Sequence, residues 1–228
     1  MDIFKIIQES WNYYARHIQG IVLVMIPVIA IVDLFYALNP VDFEEMSNAQ
    51  GIMVSLIPFV LLPLYQAALV VLFQSRYDGA TLTTAQCYNF GSQAFVRLLV
   101  MYILMGIAIL FGMMLLIIPG IYLIGRFCLA EFYCVLEKKT YTQALSSSWA
   151  ATKEYQWPIL GGYLLVALLQ AMPTYFISIL LNVLEIDHVV VDFFVGAISS
   201  VLLVMITAYT FRVYSFVKDN EPKITEAV

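Results

Sequence analysis

Three ionisable residues, Asp33, Arg126 and Glu131, stand inside otherwise apolar stretches of this 228-residue chain. A carboxylate in such surroundings holds a proton or a cation, and a guanidinium pairs with a carboxylate or holds an anion, because neither charge is stable alone in an apolar medium. Arg126 and Glu131 are five positions apart, about 140° around a helix, so they are poorly placed to pair with each other. Counted from the ends of their apolar stretches, Asp33 and Arg126 fall at similar depth, and Glu131 falls deeper. Three readings of this set stay open: a structural ion pair between Asp33 and Arg126, snorkelling of the long side chain to an interface, and a substrate or proton pathway.

Little else in the chain has the spacing of a reactive centre. There are two histidines, His17 and His188, and three cysteines, Cys87, Cys128 and Cys134, which lack metal-ligand or disulfide spacing and read as small packing residues. No Gly-rich phosphate loop, HExxH or Gly-x-Ser-x-Gly occurs. Ser146-Ser147-Ser148 reads as the solvated face of a helix. The residues therefore predict no catalytic centre, no cofactor and no metal, and so no enzyme. Lys138-Lys139 is the nearest approach to a basic run, which gives no footing for nucleic acid.

The elements that must position these residues follow from composition. Hydrophobic residues make up 62% and charged residues 12% of the chain, against about 45–50% and about 25% for a soluble domain. The surplus apolar surface needs hydrocarbon as its solvent. Spanning segments of about 20 residues must satisfy their own backbone as helix. Residues 18–38, 51–73, 157–181 and 193–216 fit directly. The stretch 98–136 is twice too long for one crossing, and Pro119-Gly120 near its middle reads as a hairpin tip, which gives spans at 98–118 and 121–136. The fold class is thus an all-α polytopic membrane protein, a single integral domain over 1–228 with six transmembrane helices.

Basic residues fix the orientation. Lys5, Arg16, Arg76, Arg97, Lys138, Lys139, Lys153, Arg212, Lys218 and Lys223 all fall on one side of these six spans, and Arg126 alone does not. The connections on the other side carry only acids: Asp42, Glu44, Glu45, Glu185, Asp187 and Asp192. The positive-inside rule makes the basic side cytosolic, with both termini there, as in a bacterial cytoplasmic (inner) membrane. His17 and His188 then lie on opposite sides and cannot act together. The apolar run after the polar first 17 residues exceeds a signal peptide's core and is expected to be retained.

Three further segments, 3–16, 82–95 and 141–154, precede spans and read as cytosolic amphipathic helices lying in the membrane plane. Ile3, Ile7, Trp11 and Tyr14 form the apolar stripe of the first; Tyr141, Leu145, Trp149 and Thr152 form that of the third. The register admits a threefold parallel repeat of in-plane helix plus transmembrane hairpin, with Trp11, Phe90 and Trp149 at equivalent positions.

The segments Leu115-Leu116-Ile117-Ile118-Pro119-Gly120-Ile121-Tyr122, Val135-Leu136-Glu137-Lys138-Lys139, Ala144-Leu145-Ser146-Ser147-Ser148-Trp149 and Phe211-Arg212-Val213-Tyr214 together resemble the YciC-like bacterial inner-membrane proteins. The Pro-Gly-Ile-Tyr-Leu-x-x-Arg run at 119–126 also resembles the membrane domain fused to some glycerophosphodiester phosphodiesterases. The resemblance implies a polytopic inner-membrane scaffold without an assigned activity, and no catalytic domain accompanies it here.

The expected function is that of a non-catalytic membrane module acting through contacts with membrane lipids or with a membrane-protein partner. The alternative is a small transporter or channel that uses Asp33, Arg126 and Glu131, with Pro27, Pro58, Pro63 and Pro173 kinking its helices. Few polar groups are expected to face a common depth, which weighs against transport. Gln66 and Gln170 read as interhelical hydrogen-bonding residues. Oligomeric state is not legible.

Overall fold

The computed structural model describes residues 2–38, 48–184 and 189–225, and all regular structure among them is helical. The order is α1 (Ile3–Arg16), α2 (Ile18–Leu38), α3 (Asn48–Tyr77), α4 (Thr84–Ser92), α5 (Phe95–Leu115), α6 (Ile117–Phe127), α7 (Ala130–Val135), α8 (Tyr141–Ala151), α9 (Gln156–Val183) and α10 (Val189–Thr225). Six helical stretches among these are long and apolar enough to cross a membrane, at 18–36, 56–77, 95–115, 117–135, 156–181 and 193–220. The acidic connections with Asp42, Glu44, Glu45, Glu185 and Asp187, and with them His188, lie outside the described residues.

The short helices start where their sequences provide caps. The Asp2 carboxylate accepts from the Phe4 and Lys5 amides at 3.1 and 3.3 Å. Thr83 and Thr140 each stand three residues before a glutamine, and the Gln86 and Gln143 side chains reach back to the Thr83 and Thr140 amides at 2.9 and 3.2 Å. Each short helix then packs mainly on one neighbour: α4 on α3, α8 on α7, and α1 on α10. Their protein-facing stripes are Ile6, Ser10 and Tyr14; Cys87 and Gly91; and Ala144, Ser148 and Thr152. Of the stripes expected to face the membrane, Trp11 is 55% exposed and Trp149 also reaches the surface, whereas Tyr14 and Thr152 turn into the protein. Small side chains let helices approach closely, so Ser10, Gly91 and Ser148 take the contact face and the tryptophans are left at the rim. Gly91 lies so close to α3 that a Cβ there would stand 2.8 Å from the Ala68 amide nitrogen.

Nearly all buried apolar side chains gather towards one end: Ile21 to Val28 of α2, Ala67 to Phe73 of α3, Leu98 and Met101 of α5, α7, and Val204 to Val217 of α10. That end carries the basic residues, and charge contacts lock it. Glu9 of α1 pairs with Arg212 of α10 at 2.6 Å, and Glu137 pairs with Lys139 and Lys218 at 2.9 and 2.7 Å. Arg97 donates to the Lys138 carbonyl at 2.6 Å. Away from the basic end the helices present apolar side chains outward, as surfaces solvated by lipid do.

Two sequence expectations need correcting. The α5–α6 turn falls at Leu116, whose backbone is extended (φ −163°, ψ 149°), and not at Pro119-Gly120. Proline is tolerated in the first turn of a helix, where its missing N–H has no intrahelical acceptor, so Pro119 begins α6 without breaking it. Gly120 serves a crossing: its Cα lies 3.1 Å from where a Gly112 Cβ would stand, and a Cβ on Gly120 itself would collide with Met113. The tip is also wholly apolar, with Met114 82% exposed and Leu115 to Ile118 similarly bare, so these two crossings are joined without a polar loop. Second, the fourth span is not one helix. It breaks at Cys128-Leu129 between α6 and α7.

Candidate functional site

The break in the fourth span frees backbone groups that lipid cannot satisfy, and α8 supplies them. Ser148 Oγ donates to the Arg126 carbonyl at 2.7 Å and accepts from the Leu129 amide at 3.2 Å. Thr152 Oγ1 approaches the same carbonyl at 3.4 Å. Ser148 and Thr152 are fully buried, so Ser148 is no part of a solvated face; Ser146 is. An unsatisfied backbone group in an apolar interior costs on the order of 1–3 kcal/mol, and this pairing removes that penalty.

Fixing the break fixes Arg126 and Glu131 on either side of it. Arg126, 3% exposed, lies with its guanidinium carbon 4.1 Å from the Trp149 ring centroid and 5.9 Å from that of Tyr122. Its Nε and Nη1 have no hydrogen-bond partner. The guanidinium is thus held by an aromatic face, an interaction worth up to about 2 kcal/mol when desolvated. Arg126 stands level with α8 and with Trp157 in the first turn of α9, and not beside Asp33 as depth counting suggested. Among the described residues Asp33 and Arg126 make no ion pair.

Glu131 enters a polar-lined space between the spans, a cavity of about 360 Å³ bounded by α3, α5, α6, α9, α10 and the start of α7. Tyr102 of α5 donates its hydroxyl to Glu131 Oε2 at 2.8 Å. Gln66 of α3 faces the same space and accepts from Thr207 of α10 at 3.2 Å, which fulfils its expected role between helices. Thr210, Tyr163 and Cys128 complete the polar lining. Gln66 also borders a second cavity, about 180 Å³, in which Asp33 lies with Tyr65, Pro58 and Ser200. Asp33 Oδ2 has no hydrogen-bond partner. Gln170 makes no interhelical bond through its side-chain oxygen, contrary to expectation.

The structure therefore brings Asp33 and Glu131 to neighbouring cavities that share Gln66, and sets Arg126 apart. Polar groups from five helical segments do face a common depth, against the expectation from sequence. Tyr102, Tyr163, Thr207 and Thr210 were the residues missed. Each sits singly in an apolar run, and the Thr207/Thr210 spacing, which puts both on one helix face, was the available signal.

A second, shallower basin of about 360 Å³ opens at the basic end, lined by Arg16, His17, Gln19, Arg76 and Thr81 among others, none of them acidic. Gly79, at φ +74°, follows α3 in the left-handed conformation, and the Ala80 amide closes back on the Ser75 carbonyl at 2.8 Å. This turn returns the chain past Arg76, whose guanidinium reaches only long contacts, 3.4 and 3.5 Å, with the Ala80 and Leu82 carbonyls. Burial, then the charges of Arg76 and Arg16, hold the His17 imidazole below its ordinary pKa. Among the described residues no group of histidine, cysteine and carboxylate side chains could hold a metal ion. No family model, curated protein or solved structure matches the chain.

Proposed function

We propose that this chain is a non-catalytic module of a bacterial inner membrane that works by holding anionic lipid headgroups at its basic end, which faces the cytosol. The observation that carries this reading is the basin of Arg16, His17 and Arg76, with no acidic lining residue, at the junction where α1 meets α2. Two guanidiniums and an imidazole suit a phosphodiester, and a phosphate bound there would draw the His17 pKa back up. Trp11, Phe4, Phe90 and Trp157 stand exposed on the helices around that end, as side chains that sit at headgroup level do. The basic residues on one side of the spans support the orientation. The likeness of 115–149 to YciC-like proteins supports the location and the family. The three packings of α4 on α3, α8 on α7 and α1 on α10 support a threefold repeat whose units each dock on the preceding one.

The test is lipid retention. Purified protein in mild detergent, exchanged with equal phosphatidylglycerol and phosphatidylcholine, is expected to retain the anionic lipid preferentially by native mass spectrometry. The double variant Arg16→Gln/Arg76→Gln should lose about thirtyfold of that preference, since each charge contributes about 1 kcal/mol. Equal retention of both lipids by the unaltered protein would overturn the reading.

A further inference from the structure

We propose that the central cavity is a binding site for an organic ammonium cation with an apolar body. This site is separate from the headgroup basin and does not depend on it. Glu131 is the one acidic residue among those lining the cavity, and no lysine, arginine or histidine lines it. Its carboxylate is hydrogen-bonded by the Tyr102 hydroxyl at 2.8 Å, which orients the group without neutralising it. A charge so placed calls for a proton or a cation.

The wall decides which cation fits. Hard metal ions take about six to eight oxygen ligands, whereas this cavity combines one carboxylate with the amide of Gln66 and scattered hydroxyls. Most of the remaining surface is Leu62, Met101, Met105, Ile109, Ile124 and Ile206. Methionine's flexible, polarisable side chain adapts to varied apolar shapes. Phe127, Tyr102 and Tyr163 add aromatic rings to the same wall, and an aromatic face is favourable to a cation's positive charge. The volume of about 360 Å³ falls within the range of small-molecule sites, about 300–1,000 Å³. A protonated amine would place its charge at Glu131, donate to Gln66 or Thr210, and lay its hydrocarbon along the methionine and isoleucine wall.

The experiment uses 1-adamantylamine and its neutral counterpart 1-adamantanol, measured by equilibrium dialysis against protein-loaded and empty nanodiscs. The amine is expected to bind saturably, at least about tenfold tighter than the alcohol, because one of its contacts is charge-assisted. Glu131→Gln should abolish that difference. Met105→Trp keeps the carboxylate but fills the cavity, so it should abolish saturable binding while the protein stays monodisperse; it also covers the case in which Glu131→Gln fails to fold. Equal binding of amine and alcohol by the unaltered protein, or unchanged amine binding by Met105→Trp, would overturn the proposal.

Discussion

Replacing Ser148 with alanine removes a single oxygen from the inside of the molecule, and the structure sets the size of the effect. That oxygen accepts from the Leu129 amide at 3.2 Å and donates to the Arg126 carbonyl at 2.7 Å, where the fourth span is broken. Without it the amide loses its acceptor in a fully buried position, at about 1–3 kcal/mol. The carbonyl can draw on the Thr152 hydroxyl, 3.4 Å away, which otherwise donates to the Ser148 carbonyl at 2.8 Å, so its own loss is small. The sum is about 2 kcal/mol for Ser148→Ala. Thr152→Val alone should cost less, about 1 kcal/mol, because Ser148 still serves the carbonyl. The double variant should cost more than the two added, since only then is the carbonyl bare. Reversible unfolding of the purified protein in mixed micelles, followed by circular dichroism, measures all three, with exposed Ser146→Ala as a control expected within about 0.5 kcal/mol of the parent. A Ser148→Ala change indistinguishable from that control would refute the claim that α8 satisfies the broken span.

Three other outcomes follow from particular contacts. Gly91→Ala should destabilise by about 1–3 kcal/mol in the same assay, because a Cβ at 2.8 Å from the Ala68 nitrogen forces α4 off α3. Burial works to raise the Glu137 pKa, but hydrogen bonds from Lys218, Lys139 and Tyr214 outweigh it and hold it below the ordinary value. Its stabilising contribution is then complete above the unfolded-state pKa and fades as pH falls through the folded one. Glu137→Gln should therefore destabilise at pH 7 and approach the parent as the pH is lowered through the folded-state pKa, in melts carried from pH 7 into acid. A cysteine at Leu116, in a background without Cys87, Cys128 and Cys134, should react more slowly with a water-soluble maleimide than with a membrane-permeant one, because the α5–α6 tip is wholly apolar and ends its two crossings without a polar loop.

What the sequence made legible was set by solvent. Hydropathy and the one-sided distribution of basic residues place each membrane-crossing segment within a few positions, and α2 begins and ends where the run 18–38 does. Packing inside the bundle was less legible. Trp11 and Trp149 marked the membrane-facing stripes of α1 and α8, but nothing in the pattern showed that the small Ser10 and Ser148 would take the faces packed on the protein. Pro119-Gly120 carried turn chemistry that was used for helix initiation and close crossing instead. The break at Cys128-Leu129 had no signal at all in its own residues, since its compensation comes from α8, twenty positions on. The site shows the same division. Asp33 and Glu131 stood out as single charges in apolar runs, whereas the two cavities they border depend on which helix faces converge.

Every functional reading rests on six crossings with the basic end in the cytosol, and thiol accessibility in intact spheroplasts tests that most directly. Single cysteines are placed at Lys153 and at Asp187 in the cysteine-free background, and each is challenged with a membrane-impermeant maleimide before and after lysis. The expected result is that the cysteine at position 187 reacts in intact spheroplasts, and the one at position 153 only once the membrane is opened. Reaction at position 153 in intact spheroplasts would contradict the orientation and, with it, the assignment of the Arg16–His17–Arg76 basin to cytosolic headgroups.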